Sequence, residues 1–218
     1  MYIYDQHLFN APPLDNGYHE QYPSSRFAGY FAQAPAQAKD QIQFITAEVT
    51  RLEKNKRVEL SFRATGAMSN AQREKFTKRF INPMLKHALG RDLWVAINQG
   101  NHPVGIAWGN GKFGITGTIA LDRKNAVNGN GSSALIFIDE ESQDWKSMET
   151  LVHNPDVGLF HELLHVRRIQ LGTVVDDERE MERQIIGIGK HSKNKGTENH
   201  YRDVRGLQLR CCWDREKL

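Results

Sequence analysis

Asn154-Pro155-Asp156-Val157-Gly158-Leu159-Phe160-His161-Glu162-Leu163-Leu164-His165 is the stretch whose reading decides the fold. Asn154 or Asp156 can cap a helix. Pro155 suits its first turn, where a missing N–H costs nothing. Leu159, Phe160, Leu163 and Leu164 then give a strongly apolar helix. His161 and His165 stand four residues apart, so their rings lie one above the other on a single face. Imidazoles and a carboxylate are costly to bury in such a helix without partners.

His161-Glu162-Leu163-Leu164-His165 fits H-E-x-x-H, a spacing that lets both rings reach one Zn²⁺ at ~2.0–2.1 Å. Glu162 projects about 100° around the axis from His161, so it can meet the water on that ion without being a ligand. Zinc lowers the pKa of such a water towards ~7, and Glu162 can take its proton and later pass it to a leaving amine. The plainer alternative is an amphipathic helix carrying two satisfied histidines.

A catalytic zinc usually has three protein ligands and one open position. The longer pattern H-E-x-x-H-x-x-G-x-x-H is absent, because Arg168 and Leu171 occupy the Gly and His positions. The better source is Asp176-Asp177-Glu178-Arg179-Glu180-Met181-Glu182. Met181, Ile185 and Ile188 define the inward face of the helix that follows, and Glu178 and Glu182 lie within about 60° of its centre. Glu182 ranks first and Glu178 second. Asp176 and Asp177 are explained by the helix dipole.

The order of segments resembles a family. A Gly/Asn-rich loop and strand, Gly129-Asn130-Gly131-Ser132-Ser133-Ala134-Leu135-Ile136-Phe137-Ile138, precede the zinc motif. After it come Glu182-Arg183-Gln184-Ile185-Ile186-Gly187 and Thr197-Glu198-Asn199-His200-Tyr201-Arg202. Over about residues 125 to 210 this resembles the NleD-like bacterial effector zinc metallopeptidases, with the HopH-type effectors of plant pathogens among them. The resemblance implies Glu182 as third ligand, and delivery through a type III secretion system into the host cell cytoplasm. It also implies cleavage of host signalling proteins, with mitogen-activated protein kinases as possible substrates. Ile185 stands where relatives often have Thr, which bears on packing more than on the metal.

In the last motif, Tyr201 and Arg202 are candidate catalytic donors to the oxyanion formed when water attacks. Glu198 or Asn199 can orient a ligating histidine. Each also has a simpler role, capping or bracing the third C-terminal helix, and Arg210 can form a structural ion pair.

Outward from the motifs, residues 1–35 read as an irregular arm, with Pro12, Pro13, Pro23 and Pro35 among scattered aromatics, and the resemblance implies that it is a secretion signal. Residues 36–218 read as one metallopeptidase domain. Helices are expected at about 37–54 and from Asn70 to Leu89, the latter kinked or divided by Pro83. Strands are expected at Arg57 to Ala64, at Leu93-Val95-Ile97, from Gly114 to Leu121 and from Ala134 to Ile138. The loop from Asn125 to Ser133 is expected to be mobile. Three helices follow, at 155–170, about 176–190 and about 197–209. The fold class is α+β in the zincin manner: a small mixed sheet packed on the active-site helix, with Ala134 to Ile138 near the cleft edge as a site for strand addition.

Composition limits the alternatives. The chain has 218 residues, 39% hydrophobic, enough for one core. Its 29 basic and 26 acidic side chains nearly cancel to +3, which gives no reason to propose nucleic acid as a partner. No apolar run approaches the ~20 residues of a membrane span, and the N-terminus lacks a Sec-type signal. Cys211 and Cys212 are adjacent and form no disulfide framework, as in a reducing compartment. A monomer is expected. Gly109-Asn110-Gly111-Lys112-Phe113-Gly114 fits G-x-G-x-x-G but lacks the following helix that a dinucleotide needs. His102, His153 and His191 read as solvated loop residues. The rival readings are a non-catalytic zinc-binding host-interaction module, closed by Glu178, His191 or His200, and zinc hydrolysis of something other than a peptide.

Overall fold

The computed structural model describes residues 60–61, 70–109 and 116–212. The expected arm at 1–35, the helix at about 37–54 and most of the strand from Arg57 to Ala64 lie outside the described residues. Within them the fold is mixed α+β, a small sheet with helices packed against it.

Strand β1 (Leu60–Ser61) pairs in parallel with β2 (Val104–Gly109). Strand β3 (Gly117–Ala120) runs antiparallel to β4 (Ala134–Asp139), with Gly117 opposite Phe137 and Ala120 opposite Ala134. Strands β2 and β4 are parallel, with Val104 opposite Ala134 and Gly109 opposite Asp139. The order is therefore β1-β2-β4-β3. All six residues of β4 are buried, as a strand covered on both faces requires. Ala134, Ile136 and Ile138 point into the main core, while Leu135 and Phe137 join Ala107, Ile119 and Leu121 on the other side. Strand β4 is thus central, and the cleft-edge position expected for it belongs to β3.

Helix α1 (Asn70–Phe76) passes through a π-helical turn, Thr77–Ile81, into α2 (Asn82–Leu85). Pro83, expected to disturb this helix, sits in the first turn of α2, directly after the widened π turn. Phe76 stacks on Phe80 at 4.5 Å, and Phe80 meets Trp145 edge-on at 6.0 Å. The break comes at His87, which is extended, before α3 (Ala88–Asn98). The strand expected at Leu93-Val95-Ile97 is therefore helical. Leu89, Leu93, Ala96 and Ile97 form one buried stripe at helical spacing, and Val95 is 38% exposed. Strand β2 was not foreseen.

The Asn/Gly-rich loop, expected to be mobile, begins with a short helix, α4 (Arg123–Val127), capped by Asp122. Three backbone bonds tie it down: Gly129 N–H to Gly172 O, Gly131 N–H to Asn125 O and Ser132 N–H to Ile169 O. Two more short helices, α5 (Gln143–Ser147) and α6 (Glu149–His153), lead into α7 (Pro155–Leu171). Helices α8 (Glu178–Ile186) and α9 (Glu198–Val204) follow, each shorter than expected. No helix among the described residues is long and apolar enough to cross a membrane.

Candidate metal centre

Helix α7 carries the H-E-x-x-H residues and is the pillar of the core. Pro155 occupies its first turn, as expected; of the two residues considered as caps, Asn154 stands at the N-cap position, but its side chain accepts from Arg205 rather than from the helix. Gly172 ends it in the left-handed conformation at φ 69°, with its N–H on Ile169 O. Both ends are anchored. Near the N-terminus, buried Asp156 accepts hydrogen bonds from the Tyr201 hydroxyl at 2.7 Å and from Arg205. Near the C-terminus, Gln170 Nε2 donates to Ile97 O and His102 O.

Glu182 meets the two histidines from α8. Asp177 caps this helix by accepting from the N–H groups of Arg179 and Glu180. Met181, Ile185 and Ile188 are buried, the inward face expected for it. Their burial swings Glu182 over α7. His165 Nε2 lies 3.1 Å from Glu182 Oε1, and His161 Nε2 lies 3.4 Å from Oε2. The two Nε2 atoms are 3.1 Å apart. One ligand atom from each of His161, His165 and Glu182 falls within 4.8 Å of the others, a set of two imidazoles and a carboxylate that could hold a metal ion. Among the described residues no other group of three or more His, Cys, Asp or Glu side chains comes together in this way.

Behind His161 stands Glu198. Its Oε2 is 2.7 Å from His161 Nδ1, so the ring donates Nδ1–H and turns Nε2 toward His165 and Glu182. Of the two residues expected to orient a histidine, Glu198 is the one so placed. Asn199 instead holds backbone: Gly187 O, Arg210 O and Arg210 N. Arg202 Nε donates to Glu198 Oε1 at 2.6 Å, and Arg210 donates to Oε2 at 3.1 Å, the ion pair foreseen for it.

The electrostatics suit a cation. Burial works against a charged His161, but the carboxylates of Glu182 and Glu198 outweigh it and push the ring up to about 10. Burial likewise opposes ionisation of Glu182, yet the rings of His165 and His161 hold it well below the usual carboxylate range. Glu198, also resisted by burial, is held to about 2 by His161, Arg210 and Arg202.

Glu162 is buried at 7% exposure and accepts a hydrogen bond at Oε2 from the Thr118 hydroxyl, 2.7 Å away on edge strand β3. Nothing in the sequence singled out Thr118. The remaining candidates sit elsewhere. Tyr201 is fully buried, stacked on Phe160 at 4.2 Å, with its hydroxyl committed to Asp156. Burial and the Asp156 carboxylate push that phenol upward. Arg202 is buried against Glu198 and Gln208 O. Both are braces of α9, with donors turned to other partners than an oxyanion beside the histidines. Glu178 is exposed at the start of α8 and outside the cluster. His191, expected to be solvated, bonds Glu180 at 2.9 Å, and His200 Nδ1 accepts from Gly196 N–H. His102, likewise, bonds Asn130 O at 3.1 Å.

No family model, no curated protein and no solved structure matches this chain.

Proposed function

We propose that this protein is a zinc-dependent endopeptidase of zincin-like design. The observation that carries the proposal is the convergence of His161 Nε2, His165 Nε2 and the Glu182 carboxylate, with a second acid, Glu162, next in the helix to His161 and outside that set. Three candidate ligands among the described residues would leave a position open on a tetrahedral ion, which favours catalysis over a closed structural site. A zinc ion held there supplies Lewis acidity, which polarises a carbonyl and acidifies water.

The side chains do the rest. Glu198 keeps the proton of His161 on Nδ1, so that Nε2 stays a ligand. Thr118 holds Oε2 of Glu162, leaving Oε1 to take a proton from the attacking water and return it to the departing amine. Among the described residues β3 is an edge strand, and its Thr118 borders Glu162, so an extended peptide can add there as a strand. The motif likeness to NleD-like effectors supports a host signalling protein as substrate, mitogen-activated protein kinases among them. It also supports delivery through a type III system into the host cytoplasm.

The test is direct. Wild-type and Glu162→Ala proteins are incubated with host-cell lysate, new N-termini are mapped, and zinc is counted in both. New termini are expected with wild type alone, and one zinc per chain in each. An alanine variant that still cuts at the wild-type rate refutes the mechanism.

A further inference from the structure

The chain beyond α9 folds back onto the metal centre. After Val204 the backbone reverses, and Leu207 N–H bonds Arg202 O. Arg202 also reaches Gln208 O through NH1 at 3.1 Å. The stronger attachment is at Asn199. Its side-chain amide donates Nδ2–H to Arg210 O at 2.8 Å and accepts from Arg210 N–H at Oδ1, also 2.8 Å. One amide thus takes both backbone groups of one residue, as a neighbouring strand does. The register of residue 210 is fixed by that pair of bonds.

Fixing Arg210 has a consequence for the carboxylate next door. Its guanidinium reaches Glu198 Oε2, the same oxygen that holds His161 Nδ1. Arg202, four residues along the helix, holds the other oxygen. With Arg202 alone the carboxylate can pivot about Oε1, and the His161 ring pivots with it. With both arginines the two oxygens are fixed and the ring is aimed. Glu198 is 1% exposed, so no bulk water replaces a lost partner.

We propose that Asn199 and Arg210 are positioning residues of the metal centre, clamping Glu198 so that His161 presents Nε2 to the ion. This rests on the metal reading above. It assigns a role in metal binding to a segment that touches no ligand atom directly.

The test uses the full chain and zinc alone. Zinc affinity is measured by chelator competition for wild type, Arg210→Met, Arg210→Lys, Asn199→Ala, Glu198→Gln and the double variant Arg210→Met/Glu198→Gln. Losing a partner behind a ligand typically weakens metal binding ~10–100-fold. Arg210→Met and Asn199→Ala are expected near the lower end, about tenfold, and Arg210→Lys is expected to recover most of it. The visible spectrum of the cobalt-substituted protein should change in Arg210→Met, since the ring orientation changes. Thermal unfolding in excess chelator measures the folding cost of each variant, which is expected because a buried partner is lost, and zinc affinity is compared at a temperature where every metal-free variant remains folded.

The double variant carries the decision. If Arg210 acts through Glu198, adding Arg210→Met to Glu198→Gln weakens zinc binding no further. A full additional tenfold loss overturns the proposal. So does wild-type zinc affinity in folded Arg210→Met and Asn199→Ala. A wild-type chain that takes up no zinc overturns the metal reading itself, and this inference with it.

Discussion

At the scale of single residues, the hydroxyls of Thr118 and Tyr201 make opposite predictions. Thr118 donates to Glu162, the buried acid that the proposed mechanism uses for proton transfer. Thr118→Val removes that donor and is expected to lower kcat about tenfold, part of the ~10²–10⁴ a placed acid–base group supplies. Zinc content should be unchanged, and steady-state kinetics on a mapped peptide check it; an unaltered kcat sinks the idea. Tyr201 donates to Asp156 in the core. Tyr201→Phe is expected to cost ~1–2 kcal/mol of stability and to leave turnover intact. Loss of an oxyanion donor instead lowers kcat about 10²–10³-fold with little effect on stability. Denaturant titration and kcat on the same variant decide between the two roles. The sequence shows which residues carry polar groups, but the direction a Tyr faces depends on how α9 rolls against α7, and that is a tertiary fact.

Between elements, α8, which carries the proposed ligand Glu182, and α9, which supports the centre, meet at Gly187. This residue ends α8 at φ 81°, and a Cβ there would lie 2.5 Å from Thr197 Oγ1. Thr197 is the N-cap of α9, accepting from His200 N–H. Gly187→Ala therefore strains the end of α8 and disturbs the start of α9, at an expected cost of about 2 kcal/mol. Because α8 carries Glu182 and α9 carries Glu198, zinc affinity should fall too. Unfolding midpoints with and without chelator measure both effects, and an alanine variant as stable as wild type contradicts the argument. Where one local signal dominated, the elements were legible: the capped, apolar α7, the inward stripe of α8 and the all-apolar β4. Three residues in a row of alternation, Leu93-Val95-Ile97, fit a strand and a helix alike, and burial of Leu89 decided for the helix. Strand β2 escaped notice because Gly105 and Gly109 dilute its apolar run, and pairing on both sides makes it a strand. His161, His165 and Glu182 were legible because helical spacing fixes their direction, whereas Glu198 stood only as an alternative to Asn199 until its contact with His161 Nδ1 singled it out. Thr118 was not, since it reaches the site only when β3 pairs with β4.

For the molecule as a whole, the cluster couples folding, protons and metal. In metal-free protein His161 is raised from the ordinary 6.5 to about 10, with burial overcome by Glu182 and Glu198. A group raised on folding lends stability below its unfolded value and loses it as pH climbs through the folded one. The chelated protein should therefore weaken between about pH 6.5 and 10. Glu182 and Glu198 are depressed, so their contribution is present above the unfolded carboxylate range and fades as pH falls. Zinc reverses the alkaline trend. The ion needs a neutral imidazole at Nε2, so at pH 7 it must displace a proton from His161, and its affinity rises as protons become scarce. At a hundredfold excess over Kd, a ligand bound only to the folded state adds ~2.7 kcal/mol. The zinc increment in unfolding temperature should thus be small at pH 6 and grow through pH 8, while the chelated midpoint drifts down. Calorimetry in buffers of different ionisation enthalpy should record proton release on zinc binding at pH 7. An increment that shrinks as pH rises from 6 to 8, or binding with no proton release, shows that His161 does not carry the proton the cation has to replace.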